Sequence, residues 1–235
     1  MIKGIYQAAR SLNNHTRNLE RIANNLSNIN TIGFKREGMF VEVLNQYGNP
    51  EIRTPVDLRQ GNLTQTGNPL NLAIAGEGYF VCESNGQYEL TRNGNFLISD
   101  DGFLIDQSGR RVQGKNGGIN LLNYTINQEL SLSINENGEI RIGDEIVDTL
   151  LIAQNDEKFN QLGSMGLRYD DLSEIQNLDK DNNFKIMQGY LEESNVNPIE
   201  EMEFMIRISK DYETSYRIIQ SLDDSIQKAN EIGKV

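Results

Sequence analysis

The sequence predicts an α+β protein: N- and C-terminal heptad helices forming an α-helical coiled-coil domain, with a central, mostly antiparallel β domain between them. Three observations predict it. Near the start, Ile5, Leu12, Leu19 and Leu26 recur every seven residues. Near the end, Met205, Tyr212, Ile219 and Ile226 do the same. Between them, Asn85-Gly86, Asn93-Gly94, Asp101-Gly102 and Ser108-Gly109 separate short alternating apolar runs at seven- to eight-residue intervals. A seven-residue apolar repeat suits a helix packed lengthwise on another helix. Alternation bounded by Asn-Gly or Asp-Gly is a hairpin signal.

In the first helix, Ala8, Ala9, Ile22, Ala23 and Ile29 fill the intermediate positions, and the helix should stop near Asn30 to Gly33. Residues 35–67 have weak periodicity and contain Pro50 and Pro55, which predicts an extended connector. The β domain follows over 68–187. It draws on Leu70/Leu72/Ile74, Tyr88/Leu90, Phe96/Ile98, Phe103/Ile105, Leu130/Leu132/Ile134, Ile140/Ile142 and Leu150 to Ile152, with a further turn at Asn137-Gly138. The last helix starts clearly, with Asn197 as cap, Pro198 in the first turn, and Glu200 and Glu201 where the helix dipole favours acids. Ile208, Leu222 and Ala229 flank its seam. The terminal helical domain therefore spans 1–34 and 188–235.

Composition narrows the function. The chain has 235 residues, 22 basic and 34 acidic side chains and a formal charge of −12, so it has no basic field for nucleic acid. One cysteine, Cys82, makes neither an internal disulfide nor a thiolate cluster, and one histidine, His15, excludes two-His zinc motifs. No cofactor and no small-molecule substrate is expected. No apolar run reaches signal-peptide or membrane-helix length. Charge is uneven: residues 1–36 carry six bases against one acid, and residues 187–235 carry five against ten. Opposite terminal fields can pair with each other or with neighbouring copies, although a solvated face is the ordinary reading of a charge run.

Several apparent chemical motifs fail. Gly76-Glu-Gly78 lacks the third Gly of a dinucleotide loop and precedes strands, so a tight turn explains it. Asp179-Lys-Asp181-Asn-Asn183 begins like a calcium loop, but Phe184 stands where Gly is needed and Tyr190 where Glu is needed. His15 inside a helix and Cys82 in an apolar run are simplest as packing residues. Asp100/Asp101 and Asp170/Asp171 are neighbours in turns, which says nothing of a catalytic pair. No catalytic residue is expected.

Three longer strings are more specific: ANNLSNINTIGFKR at 23–36, TGNPLNLAIAGEGYFVCESNGQYELTRNG at 66–94, and QGYLEESNVNPIEEMEFMI at 188–206. Together, and in this order, they resemble the bacterial flagellar rod–hook family of axial proteins. The length favours a rod component over the usually longer hook subunits, and the ending DSIQKANEIGK looks most like proximal-rod members. The chain departs from the family pattern at Asn71, where Asp is more usual, and at Cys82.

The resemblance implies a structural subunit of the flagellar basal-body rod that polymerises helically and transmits torque, located in the periplasm-spanning rod. It implies export by the flagellar type III apparatus without a cleaved signal peptide. Its partners would be itself, other rod and hook axial proteins, the export apparatus and the surrounding basal-body rings. The match of Ala23, Asn24, Asn25, Leu26, Asn28, Thr31, Gly33 and Phe34 carries over the corner after the first helix. Gln188, Gly189, Leu191, Glu192, Ser194, Asn195 and Val196 carry over the return into the second. The assembly interface expected from the heptads comprises Ile5, Leu12, Leu19, Ile22 and Leu26 with Met205, Tyr212, Ile219, Leu222 and Ile226. A distal-rod or short hook-type subunit is the alternative within the family. A secreted β-rich adhesin oligomerised by its ends, or an enzyme with a carboxylate cleft, are alternatives of other classes.

Overall fold

The computed structural model describes residues 2–39, 41–44, 50–53, 55–122, 131–153, 168–169, 172, 175 and 184–232. Leu130, Asp170/Asp171 and the calcium-like stretch 179–183 lie outside these residues. The fold is α+β and divides into two compact units. The first comprises 1–29, 37–55 and 196–235, and the second 30–36 and 56–195.

In the first unit, helix α1 (Ile2–Ser27) packs on helix α2 (Pro198–Ile232). The pairing is antiparallel. Asn25 Nδ2 lies 3.2 Å from Glu201 Oε2 at one end, and Gly4 sits beside the Leu222 side chain at the other. At about 1.5 Å per residue, α2 overruns the start of α1 by roughly 12 Å. The Asn-rich end of α1 caps itself: Asn28 Nδ2 and Ser27 Oγ both donate to the Asn24 carbonyl, which also accepts from Asn28 N at 3.2 Å. At the start of α2, Asn197 Oδ1 accepts from Ile199 N at 3.0 Å, the cap expected from sequence. The stretch expected as an extended connector holds an antiparallel ribbon here, β1 (Val41–Leu44) with β2 (Pro50–Arg53), registered Val41 to Arg53.

The second unit holds the remaining strands: β3 (Leu63–Gln65), β4 (Leu72–Gly76), β5 (Tyr79–Ser84), β6 (Gln87–Thr91), β7 (Leu97–Ile98), β8 (Leu104–Ile105), β9 (Arg111–Gly114), β10 (Gly117–Gly118), β11 (Leu132–Ile134), β12 (Glu139–Ile142), β13 (Glu145–Thr149), β14 (Ile152–Ala153), β15 (Arg168–Tyr169), β16 (Phe184–Gln188) and β17 (Tyr190–Glu192). The main sheet runs β15-β6-β5-β9-β8-β7, with β14 on β5 and β10 on β9. A three-stranded sheet runs β11-β12-β13, and two ribbons pair β4 with β16 and β3 with β17. All these pairings are antiparallel. The ribbons join early and late chain: Leu72 pairs with Gln188, and Leu63 with Glu192.

Strand β5 explains why its sequence is a continuous apolar run rather than an alternation. Phe80 and Cys82 enter one core cluster with Leu72, Phe96 and Ile140, while Tyr79 and Val81 enter a second with Leu90 and Leu151. A strand covered on both faces needs apolar residues at every position. Phe80 and Phe96 meet edge to face, ring centroids 5.1 Å apart.

The turn signals fare unequally. Asn85-Gly86 closes the β5–β6 hairpin with positive φ at both residues, the geometry that matches strand twist. Asp101-Gly102, Ser108-Gly109 and Asn137-Gly138 also close turns between paired strands. Asn93-Gly94 does not. There Gly94 O accepts from Leu72 N at 3.0 Å, and a Cβ on Gly94 would overlap the Leu72 carbonyl. The glycine serves close backbone approach, which a two-residue motif alone does not distinguish from a turn.

Candidate assembly interface

The expected seam residues lie largely between α1 and α2 of one chain. Ile22 is buried, and Ile5, Leu12, Leu19 and Leu26 are half-buried. On α2, Ile208 is buried and Met205, Ile219, Leu222 and Ile226 are half-buried. Tyr212 keeps the heptad spacing but remains 38% exposed, as long amphipathic side chains do when their polar tip stays in water. Ala9 and Ala23, expected to fill the seam, are exposed. Midway along α1, Ser11 Oγ lies 3.0 Å from His15 Nε2, an i,i+4 contact consistent with a packing role.

One end of the helix pair closes on a buried polar hub that the heptads do not reveal. Asn25 is fully buried: its Nδ2 donates to the Glu37 carbonyl at 2.8 Å and to Glu201, while its Oδ1 accepts from Glu37 N at 2.9 Å. Arg21 pairs with the Glu37 carboxylate at 3.0 Å. Glu201, expected merely to favour the helix dipole, is fully buried.

In the second unit, the segment after α1 lies against the segment before α2. Gly33, at φ +69°, donates from its N–H to the Glu192 carbonyl at 2.7 Å. A Cβ there would stand 2.5 Å from the Arg92 backbone, so both conformation and space require glycine. Asn195 accepts from Arg36 N at 2.7 Å and donates to the Asp57 and Arg59 carbonyls, stitching three segments. Beneath them is an ionic cluster with almost no water contact. Glu192 takes Lys35 Nζ at 2.6 Å on one oxygen and Arg92 Nη1 at 3.1 Å on the other, and Gly61 N also donates to it. Burial pushes the Lys35 pKa below its ordinary value, against the pull of the Glu192 carboxylate. Arg92 also donates to the Ile74 and Gly76 carbonyls and lies over the Tyr79 ring.

The other motif residues divide by role. Gln188 bridges the β4–β16 ribbon to β11, donating to the Leu132 carbonyl and accepting from Ile134 N. Gly189 exchanges backbone bonds with Asn71 and Thr66. Leu191 and Val196 are buried, Phe34 and Ser194 half-buried, and Ala23, Asn24 and Thr31 exposed. Asn28 belongs to the α1 cap. Asn71 is buried and donates to Thr66 Oγ1 at 2.7 Å. Sequence reasoning missed Lys35, Glu37, Arg92 and Glu201 as buried charges; a charged residue in a string carries no sign that its fold removes it from water.

Chemistry is sparse. Cys82 is fully buried and its thiol is pushed up to about 12 by burial, which leaves no thiolate at neutral pH. The polar cleft lined by Ser84, Asn85, Gln87, Glu89, Ser108 and Arg110 holds an arginine already bound by Glu89 and Asp106. Among the described residues, no group of His, Cys, Asp and Glu is arranged to hold a metal.

Comparison with known proteins bears on both units. A family model described as the flagellar basal body rod FlgEFG protein C-terminal matches residues 187–232, and one described as the flagellar hook protein FlgE/F/G D1 domain matches residues 73–142. The flagellar basal-body rod protein FlgF of Caulobacter vibrioides is 31% identical, over 93% of this chain and 93% of its own length. The chain belongs to the flagellar basal-body rod protein family. FlgF of Buchnera aphidicola subsp. Schizaphis graminum is 30% identical over 100% of the chain and 99% of its own length. The rod protein FlgG of Buchnera aphidicola subsp. Baizongia pistaciae is 28% identical over 97% and 98%. The rod family is one of structural proteins of the basal body, not of enzymes. Membership supports neither the adhesin nor the enzyme alternative.

Proposed function

We propose that this rod-family chain is a structural subunit that polymerises helically into the axial shaft of the basal body and carries torque toward the hook. Its terminal helices α1 and α2, within the expected segments 1–34 and 188–235, are the coiled-coil polymerisation domain, while residues 30–34 and 188–195 of those segments belong to the second unit. Its partners are further copies and other rod and hook axial proteins. The carrying observation is the antiparallel pairing of α1 and α2 along two heptad-spaced stripes. Apart from the exposed Tyr212, the expected assembly residues are buried or half-buried, which supports a role in holding α1 to α2 rather than in exposing a sticky surface. Export by the type III apparatus without a cleaved signal belongs to the same reading and rests on the family resemblance. A proximal position in the rod is supported by the resemblance of the ending at 224–234, and contact with the surrounding rings follows from a rod location.

Leu19→Pro tests this reading. It removes a helical hydrogen bond and clashes with the preceding turn, costing about 3 kcal/mol within α1. The β-strands of the second unit have their own core, so the variant should keep its β signature in circular dichroism but lose rod assembly and motility. Ile219→Pro should repeat the loss from α2. A normal rod built from either variant would show that the terminal helices are not the polymerising element.

A further inference from the structure

The α1–α2 seam uses one face of each helix, and each helix carries a second heptad-spaced face that the seam leaves exposed. On α2 this face holds Ile199, Met202 and Ile206, exposed to 77%, 51% and 58%. On α1 it holds Ala9, Thr16 and Ala23, seven residues apart and all exposed. At about 100° per residue, the α2 face stands about 140° from its seam and the α1 face about 60° from its own, flanking it. Single exposed apolar residues are ordinary, but three on one stripe within two turns form a patch that water disfavours. The two faces differ in kind: one presents large apolar side chains, the other small ones between which large ones can insert. Their helices also differ in charge. Residues 198–232 carry eight acids and four bases, whereas residues 2–27 carry four bases and one acid. Opposite fields favour α2 against α1, and like fields disfavour α2 against α2.

We propose that the Ile199–Met202–Ile206 face of one copy docks on the Ala9–Thr16–Ala23 face of the next copy. This rests on the reading of the chain as a polymerising rod subunit, and adds which faces meet and with what polarity. A contact between two different surfaces of identical chains is heterologous. Each added copy presents a fresh face, and growth continues as an open helix instead of closing into a two-fold dimer. Folding of the helix pair and growth of the polymer then depend on separate side chains, the seam for one and the outer faces for the other.

Engineered cysteines test the docking. Epitope-tagged Thr16→Cys, Met202→Cys and the double variant are expressed in motile cells, and their basal bodies are isolated and mildly oxidised. Cys82 is buried and serves as a silent background. The double variant should give a ladder of covalent dimers and higher multiples, while each single variant stays monomeric. Met202→Cys homodimers, a bridge to a different protein, or no bridge in basal bodies that contain the tagged chain would each overturn the docking and leave the rod reading intact. Absence of the tagged wild-type chain from basal bodies would overturn both. Independently, Met202→Asp should keep its helical signal yet incorporate about tenfold less chain, whereas Met202→Leu incorporates normally. Equal incorporation of the two variants refutes the proposal.

Discussion

Glu192→Gln is the sharpest perturbation of the second unit, because one carboxylate there neutralises two buried cations. The substitution preserves volume and one acceptor oxygen. It removes the charge that Lys35 meets at 2.6 Å and Arg92 at 3.1 Å, with all three side chains no more than 5% exposed. Removing one member of a buried pair costs about 3–5 kcal/mol, since the survivors stay desolvated without a counter-charge. Counting two lost charge-assisted hydrogen bonds at about 1.5–3 kcal/mol each gives the same range. The expected loss is therefore about 4 kcal/mol, a large share of a typical domain's total stability. Urea unfolding of the full chain, followed by far-UV circular dichroism and tyrosine fluorescence, measures it.

A second readout separates charge from packing. Burial already holds Lys35 below its ordinary pKa, and Glu192 is the main group opposing that shift. Without the carboxylate the folded chain releases the Lys35 proton more readily than the unfolded chain does. A lowered lysine pKa means that the unfolded state binds more protons, so stability rises with pH below the unfolded value. The deficit of Glu192→Gln should therefore shrink from roughly pH 7 toward pH 10. Adding Lys35→Met should recover part of the loss at neutral pH. A deficit under about 1 kcal/mol, or one that grows with pH, refutes the argument that an unpaired buried charge is the cost.

Alkali should unfold the second unit through two buried groups, Tyr79 and Cys82, both raised by burial from 10.0 and 9.0 to about 12. Raised values keep protons on the folded chain that the unfolded chain loses. Stability is thus fully present below about pH 9 and falls toward pH 12, by up to about 1.4 kcal/mol per pH unit for each group. Urea midpoints measured against pH should show this fall, and Cys82→Ala should begin its decline about one unit later; a flat profile contradicts the assignment. In the first unit, Asn25→Ala removes the bonds to both backbone groups of Glu37 and a donor to Glu201, for an expected loss of about 2–3 kcal/mol. Asn25→Asp should be worse, because it sets a carboxylate beside Glu201. Amide exchange of α1 and α2 reads both variants, and unchanged protection in either would exclude Asn25 as a hub.

The heptads, the Asn197 cap and most Asn-Gly turns were legible because each is a local rule: the period, the cap and the turn need only their own few residues. What was not legible is long-range. Lys35, Arg92 and Glu192 lie far apart in sequence, and nothing near any of them announces burial. Asn25 and Asn24 look alike in the string, yet Asn25 is fully buried and Asn24 exposed, because only the first lies on the side of α1 that α2 covers. The heptads located the helices and most of the seam but not its edges: Ala9 and Ala23, expected to fill it, lie outside. Asn93-Gly94 misled for the same reason, since the partner that makes its glycine necessary is Leu72, on another strand.

The long-range pairs share a direction, which bears on how the family should be divided. Leu63 pairs with Glu192, Leu72 with Gln188, Lys35 with Glu192 and Asn25 with Glu201. In both units, residues from the first third of the chain are completed by residues from its last fifth. The family match over 187–232 therefore covers no separable module: it supplies β17 and the Glu192 carboxylate to the second unit and α2 to the first. A chain ending before residue 187 would leave Lys35 and Arg92 without their counter-charge, β3 without its partner and α1 without a seam. Contacts of such sequence separation carry a large loop-closure cost and form late. A chain built this way cannot complete either unit until its C-terminal residues are in place.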